Sequence, residues 1–291
     1  MEKKVLVLGS TGLLGQAVTT EVRSRGYTLL AAARRGAPIG VDISDAAALA
    51  ATLAAYSPDI VVNCAALADV DACEKDPGGA WLINARPLAF LAAWSRATGR
   101  KLIHVSTDHY FISGGPKSHS EVDPVDLVNE YARTKFAGEA LALTAQNALV
   151  LRTNIVGIRG WTQPTFAEWA IDVVMNNRPA TLFTDVYGSS IDVPAFSRAL
   201  FDLEARQATG LMNLAAGEIS SKDTFVRELA RQLGCQLSAV RSEASVMRPV
   251  PRANCLGLDV SRAESMLGYS LPSLQQVISS LISQFRESTE K

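Results

Sequence analysis

The 291 residues, 48% hydrophobic and 20% charged, have the balance of a globular chain long enough for one large or two modest cores, and they lack the composition of disorder. Twenty-eight basic against 29 acidic residues leave a net charge of −1, so no global field draws the chain to nucleic acid or anionic lipid. No apolar run approaches the roughly 18 residues of a membrane span, and the opening run Val5–Leu8 is too short for a signal-peptide core, so the expected location is cytoplasmic.

In chain order, Val5–Leu8 reads as a buried strand, followed by Gly9-Ser-Thr-Gly-Leu-Leu-Gly15 and a helix to about Arg25. A second strand covers Tyr27–Ala33, and Ser44 is the expected cap of an Ala/Leu-rich helix that stops before Pro58. Ile60–Ala65 is a third strand, Trp81–Thr98 a long helix closed by Gly99, and Leu102–Ser106 a fourth strand. A Gly/Pro/Ser-rich loop over Ser113–Pro124 precedes the helix carrying Tyr131 and Lys135, and Ala148–Thr153 is a fifth strand. Strands separated by helices of this length imply right-handed βαβ crossovers, hence an α/β fold: a Rossmann-type, doubly wound parallel sheet covered on both faces.

Beyond Gly157 the rhythm loosens. Helices are expected at Pro164–Asn176, Pro194–Gln207, Lys222–Leu233 and Leu274–Glu287, with strands near Thr181–Thr184 and Leu211–Ala215 and a loop or lone strand over Ser238–Pro251. The expected division is a dinucleotide-binding domain over residues 1–156, with a return to the sheet around 181–214, and a smaller, mixed substrate-binding region over 157–291.

Cys64, Cys73, Cys235 and Cys255 lack Cys-x-x-Cys spacing, and His104, His109 and His119 form no ligand pattern, so no metal site is expected. The chemistry points elsewhere. Gly9, Gly12 and Gly15 follow a strand and open a helix; glycines permit the tight turn and let backbone approach a pyrophosphate, which the helix N-terminus attracts. At the end of the second strand stand Arg34 and Arg35, with no acidic residue before Asp42; paired guanidiniums suit a 2′-phosphate, so NADP(H) is preferred and NAD(H) stays open. Small residues Asn63-Cys-Ala-Ala66 end the third strand, and Ser106-Thr-Asp108 ends the fourth, where hydroxyls and a carboxylate can meet the same crevice. Tyr131 and Lys135, four apart on a helix, share a face; a nearby ammonium lowers a phenol's pKa and lets it act as an acid near neutrality.

Taken together, the glycine spacing, Asn63-Cys-Ala-Ala, Ser106-Thr-Asp and Tyr131-x-x-x-Lys135 resemble the extended short-chain dehydrogenases/reductases, and more narrowly the dTDP-4-dehydrorhamnose reductase group. The run Pro58-Asp-Ile-Val-Val-Asn-Cys-Ala-Ala-Leu-Ala-Asp-Val-Asp-Ala-Cys-Glu is close to that group's, and Asn84, Glu121, Arg152-Thr153, Gly188 and Leu258-Asp-Val-Ser add to the likeness. The resemblance implies an NADPH-dependent reductase of a nucleotide-linked 4-keto-6-deoxysugar. Tyr131 would give the proton, Lys135 would hold the nicotinamide ribose, and Thr107 would hydrogen-bond the carbonyl oxygen. Gly9, Thr11, Gly12, Leu13, Leu14 and Gly15 would surround the pyrophosphate, Asp42 and Ile43 the adenine, and Ala65, Ala66, Leu67 and Ala68 the ribose, with Asp108, Asn154 and Ile155 toward the sugar.

The chain departs from the group's pattern at His109-Tyr-Phe, at Asn129-Glu-Tyr-Ala132, at Arg152-Thr-Asn-Ile155 and in a longer loop over Ser113–Ser120, all on substrate-contacting ground. Two other functions fit the same fold: a sugar-nucleotide epimerase or dehydratase, and a non-catalytic NADP-binding regulatory subunit. The expected partner is a nucleotide sugar or a similar small carbonyl compound, not nucleic acid or membrane, and a homodimer stays open.

Overall fold

A computed structural model describes residues 2–112, 115–161, 163–245 and 249–289. Part of the long loop at Ser113 and Gly114, and part of the Ser238–Pro251 segment at residues 246–248, therefore lie outside the described residues.

The elements run β1 (Lys4–Leu8), α1 (Leu13–Ser24), β2 (Thr28–Ala33), β3 (Ile39–Gly40), α2 (Ala46–Tyr56), β4 (Ile60–Asn63), α3 (Val70–Lys75), α4 (Pro77–Asn84), α5 (Arg86–Thr98), β5 (Lys101–Val105), β6 (Ser118–His119), α6 (Glu130–Ala142) and β7 (Ala148–Arg152). There follow β8 (Ile155–Val156), α7 (Phe166–Met175), β9 (Ala180–Phe183), β10 (Tyr187–Gly188), β11 (Ile191–Asp192), α8 (Val193–Ala205), β12 (Gly210–Asn213), β13 (Ser220–Ser221), α9 (Lys222–Leu233), β14 (Val240–Glu243), β15 (Cys255–Leu258), α10 (Ser261–Leu267) and α11 (Leu274–Thr289).

Two compact units result. The first comprises residues up to Thr107, Leu127–Arg152 and Ser197–Met212. Its seven-stranded sheet has the order β12-β7-β5-β4-β1-β2-β3, and β3-β2-β1-β4-β5-β7 pair in parallel. Val5 to Leu8 are fully buried, as a strand covered on both faces requires, and Leu6, Leu8, Leu49, Leu53, Leu88, Leu91, Leu102 and Val150 form one core. The doubly wound α/β fold expected from the sequence is the fold observed.

Local details differ from the sequence expectations for physical reasons. The long helix over Trp81–Thr98 is broken at Ala85, because Pro87 has no N–H for the carbonyl of Ile83 and its ring crowds that turn. The cap of α2 is Asp45, not Ser44: its carboxylate accepts from the amides of Ala47 and Ala48 at 2.9 and 3.0 Å, while the Ser44 hydroxyl bonds Asp42 at 2.7 Å. Of the two later strands, β12 joins the large sheet, whereas β9 pairs in parallel with β14.

The second unit comprises Asp108–Asp126, Thr153–Phe196 and the chain from Asn213 on. It holds a four-stranded sheet, β13-β10-β15-β6, two short parallel pairs, β11-β8 and β14-β9, and a core of α7, α9 and α11 residues such as Ile171, Val174, Phe225, Leu229, Ile278 and Leu281.

Candidate cofactor and catalytic site

The glycine turn is built as a cradle. Gly9 has φ +77°, a left-handed conformation that suits glycine, and a side chain there would come 2.8 Å from the Ala65 nitrogen. A Cβ on Gly15 would lie 2.1 Å from the Gly9 carbonyl oxygen, so glycine there lets α1 start against the turn. Gly12 caps α1 without a side chain, and its own amide bonds the Gly9 carbonyl at 3.0 Å. The first-turn amides of Leu13, Leu14 and Gly15 consequently have no intrahelical acceptor, and the helix dipole turns its positive end to the same place. An anionic pyrophosphate fits this site. Leu14 itself is buried, so only its backbone can serve a ligand, and Gln16 donates to the Thr11 carbonyl at 2.9 Å, fixing the loop.

Beyond β2, Arg34 and Arg35 are exposed in the turn to β3. Asp42 accepts from the Ser44 hydroxyl and amide, and these bonds, with the Arg34 guanidinium adding to them, hold its carboxyl below the usual range. Ile43 is a core residue. At the end of β4, Asn63 is fully buried; its amide oxygen accepts from the Ala65 N–H at 3.2 Å and its NH₂ faces His104 Nδ1 at 3.2 Å. Asn84 on α4 then staples the next turn, accepting from Leu67 N–H at 2.8 Å and donating to the Leu67 carbonyl at 3.0 Å and to Thr134 Oγ1 at 3.1 Å. The segment Ala65–Ala68 is therefore held by two buried amide side chains, and Ala66 and Ala68 stay exposed. Asn63 and Asn84 are both marked in the sequence, but that they hold this segment is not legible there.

Tyr131, Lys135 and Glu139 form a stripe on α6, whose start is fixed by Asn129 accepting from the Ala132 N–H at 2.8 Å. Lys135 is 1% exposed, and its ammonium donates to the Val105 carbonyl at 2.8 Å, at the end of β5 and two residues before Thr107. Burial lowers the Lys135 pKa to about 8, against the opposing pull of Glu139. Held to one carbonyl, the amine keeps two further N–H donors. Thr107 is buried beside this strand end, and Tyr131 is half-buried one helical turn from Lys135. Ser106 plays a different part from its neighbour: its hydroxyl is committed to Glu139. No sequence motif marks Glu139.

In the second unit, Asp108 is 5% exposed and accepts from Asn154 Nδ2 at 2.6 Å. Asn154 also accepts from the Ser190 hydroxyl at 3.2 Å, and its carbonyl accepts from Ile191 N–H at 2.8 Å. Ile155 opens β8, paired with Ile191. His109, one of the departures, is pushed down to about 4 by burial, with the Arg252 charge acting the same way, so it is neutral at pH 7. Among the described residues no group of His, Cys, Asp or Glu is arranged to hold a metal, and no helix is long and apolar enough to cross a membrane.

The chain as a whole is similar to proteins of known name. A probable low-salt glycan biosynthesis reductase of Haloferax volcanii is 30% identical over 97% of this chain and 98% of its own length. A dTDP-4-dehydrorhamnose reductase of Mycobacterium tuberculosis is 31% identical over 91% of this chain and 88% of its own. The crystal structure of the Bacillus anthracis dTDP-4-dehydrorhamnose reductase in complex with NADP superposes with a TM-score of 0.84 at 20% identity, over 97% of this chain and 98% of that one. The model of the RmlD substrate binding domain matches residues 3–287, and the chain belongs to that family.

Proposed function

We propose that the chain is an NADPH-dependent reductase of a nucleotide-linked 4-keto-6-deoxysugar or a close carbonyl analogue, with Tyr131 as proton donor. The observation that carries this reading is Lys135: a buried amine, one helical turn from Tyr131 and tied to the carbonyl of Val105, two residues before Thr107. NADPH, when bound, supplies the hydride. The uncapped start of α1 with Gly12, Leu13 and Leu14 would hold its pyrophosphate, Arg34 and Arg35 its 2′-phosphate, and Ala65–Ala68 a ribose. The two free N–H donors of Lys135 suit a ribose diol, and its charge favours the phenolate of Tyr131, so that the phenol releases its proton to the carbonyl oxygen more readily. Thr107 would donate a hydrogen bond to that oxygen. The chain's similarity to named reductases over nearly its whole length supports the reaction type, and its free cysteines suit the cytoplasm.

The test is the purified chain with NADPH or NADH and a panel of dTDP- and UDP-linked keto-sugars, followed by cofactor absorbance. NADPH consumed in step with product excludes an epimerase or dehydratase, and turnover by the chain alone excludes a silent regulatory subunit. Tyr131→Phe should lower kcat at least about a hundredfold with NADPH affinity unchanged; turnover near the original level would overturn the assignment.

A further inference from the structure

Lys222, the first residue of α9, carries a half-buried ammonium that makes no hydrogen bond and no ion pair among the described residues. Its one close contact is the face of Phe166, 3.9 Å from nitrogen to ring centroid, and that ring is itself fixed against Trp169 and Phe225 with centroids 5.8 and 5.2 Å away. The Ser221 hydroxyl accepts from the Thr224 N–H at 3.0 Å, so the helix end that carries Lys222 is anchored. Its nitrogen is not among the buried unpartnered polar atoms of the described residues, so it is open to a ligand that offers an acceptor.

The charge that bears on Lys222 is Asp108. Burial lowers the lysine's pKa and the Asp108 carboxylate raises it, which puts the two within electrostatic reach although no hydrogen bond joins them. Asp108 cannot swing across freely, because Asn154 donates to it at 2.6 Å and is in turn held by the Ser190 hydroxyl and the Ile191 amide. A side chain on Gly188 would come 3.1 Å from Asn154 Nδ2, so that position leaves Asn154 where it is. One positive donor and one negative acceptor, not hydrogen-bonded to each other, together carry no net charge. An oxyanion attracted by the lysine would be repelled by the carboxylate. A neutral group that accepts at one side and donates at the other suffers no such conflict, and adjacent hydroxyls of a sugar ring are such a group.

We propose that Lys222 is a specificity-determining residue that, with Asp108, binds hydroxyls of the substrate's sugar ring rather than its diphosphate. The inference rests on the sugar-nucleotide reading above. Its test is calorimetric titration of the NADP-loaded chain with dTDP-glucose and with dTDP, the UDP pair being run alongside. The original chain binds the sugar nucleotide more tightly than the bare nucleotide. Lys222→Met lowers that sugar-dependent gain about tenfold, as expected for a hydrogen bond from a charged group, and leaves affinity for the bare nucleotide and for NADPH unchanged. A gain that survives the substitution overturns the inference, as does an equal loss of bare-nucleotide affinity, which would assign the lysine to the diphosphate. If Lys222→Met also loses NADPH binding, Lys222→Ala, which likewise removes the donor, is read by the same criteria. A wild-type chain with no sugar-dependent gain for either nucleotide defeats the sugar-nucleotide reading itself, a result distinct from the other two.

Discussion

Ser106 donates its hydroxyl to Glu139 across 2.6 Å, and the same carboxylate is clamped by Arg152 at 2.9 to 3.2 Å, all three side chains being almost fully buried. The contact joins the residue before Thr107 to the helix of Tyr131 and Lys135, and Arg152 closes β7 behind them. The strand end and the helix are thus tied at two points, here and at the bond from Lys135 to the Val105 carbonyl.

Removing one member of a buried pair leaves an unpaired charge, so Glu139→Gln should cost about 3–5 kcal/mol in urea unfolding. Joint replacement, Glu139→Leu with Arg152→Met, should recover most of that loss, since apolar residues of similar volume often replace buried ion pairs without cost. Glu139 also holds the Lys135 pKa up. In Glu139→Gln the alkaline limb of kcat/KM should therefore move to lower pH, a shift that a purely structural role would not produce.

Gly15→Ala tests the cradle. Alanine favours a helix interior by about 1 kcal/mol over glycine, yet its Cβ would sit 2.1 Å from the Gly9 carbonyl oxygen, and α1 must withdraw. NADPH affinity, measured by fluorescence titration, should fall at least about tenfold, since the first-turn amides move with the helix. Gly40→Ala, where nothing lies within 4 Å, is the matching control and should leave affinity unchanged.

Lys101 supplies a pH signature of stability. Its buried ammonium donates to the Ala208 carbonyl, and burial lowers its pKa to about 8, against the pull of Glu204. Between about pH 8 and 10.4 the unfolded chain holds a proton at this lysine that the folded chain has released, so stability should rise with pH across that window. Lys135, also lowered to about 8, contributes in the same direction. Lys101→Met should flatten the rise and be the more stable relative to the original chain below pH 8, as chemical denaturation at several pH values will show.

The parallel sheet was legible because its strands are continuous apolar runs, such as Val5–Leu8, set between helix-length segments and punctuated by Gly9, Pro58 and Gly99. The glycine turn and the Tyr131–Lys135 pair are local patterns, visible within a few residues. What escaped notice is either too short to show a period, like α3 and α10, or joined only through space. Asn84 lies 17 residues from Leu67 and 50 from Thr134, Glu139 lies 33 from Ser106, and nothing near Lys222 marks it as unlike any other lysine at a helix start. The break at Pro87 was open to inference from the rule for proline inside helices, but the apolar periodicity on either side masked it.

The two units are woven from alternating stretches of chain, with changeovers after Thr107, Asp126, Arg152, Phe196 and Met212. A single cut cannot release either as a continuous polypeptide, and a truncation near residue 156 would keep the first two stretches of one unit while discarding Ser197–Met212, including most of β12. Exchange of the second unit between relatives by recombination must therefore transplant three separate inserts, one of which begins at Asp108, the residue bonded through its backbone to Thr107.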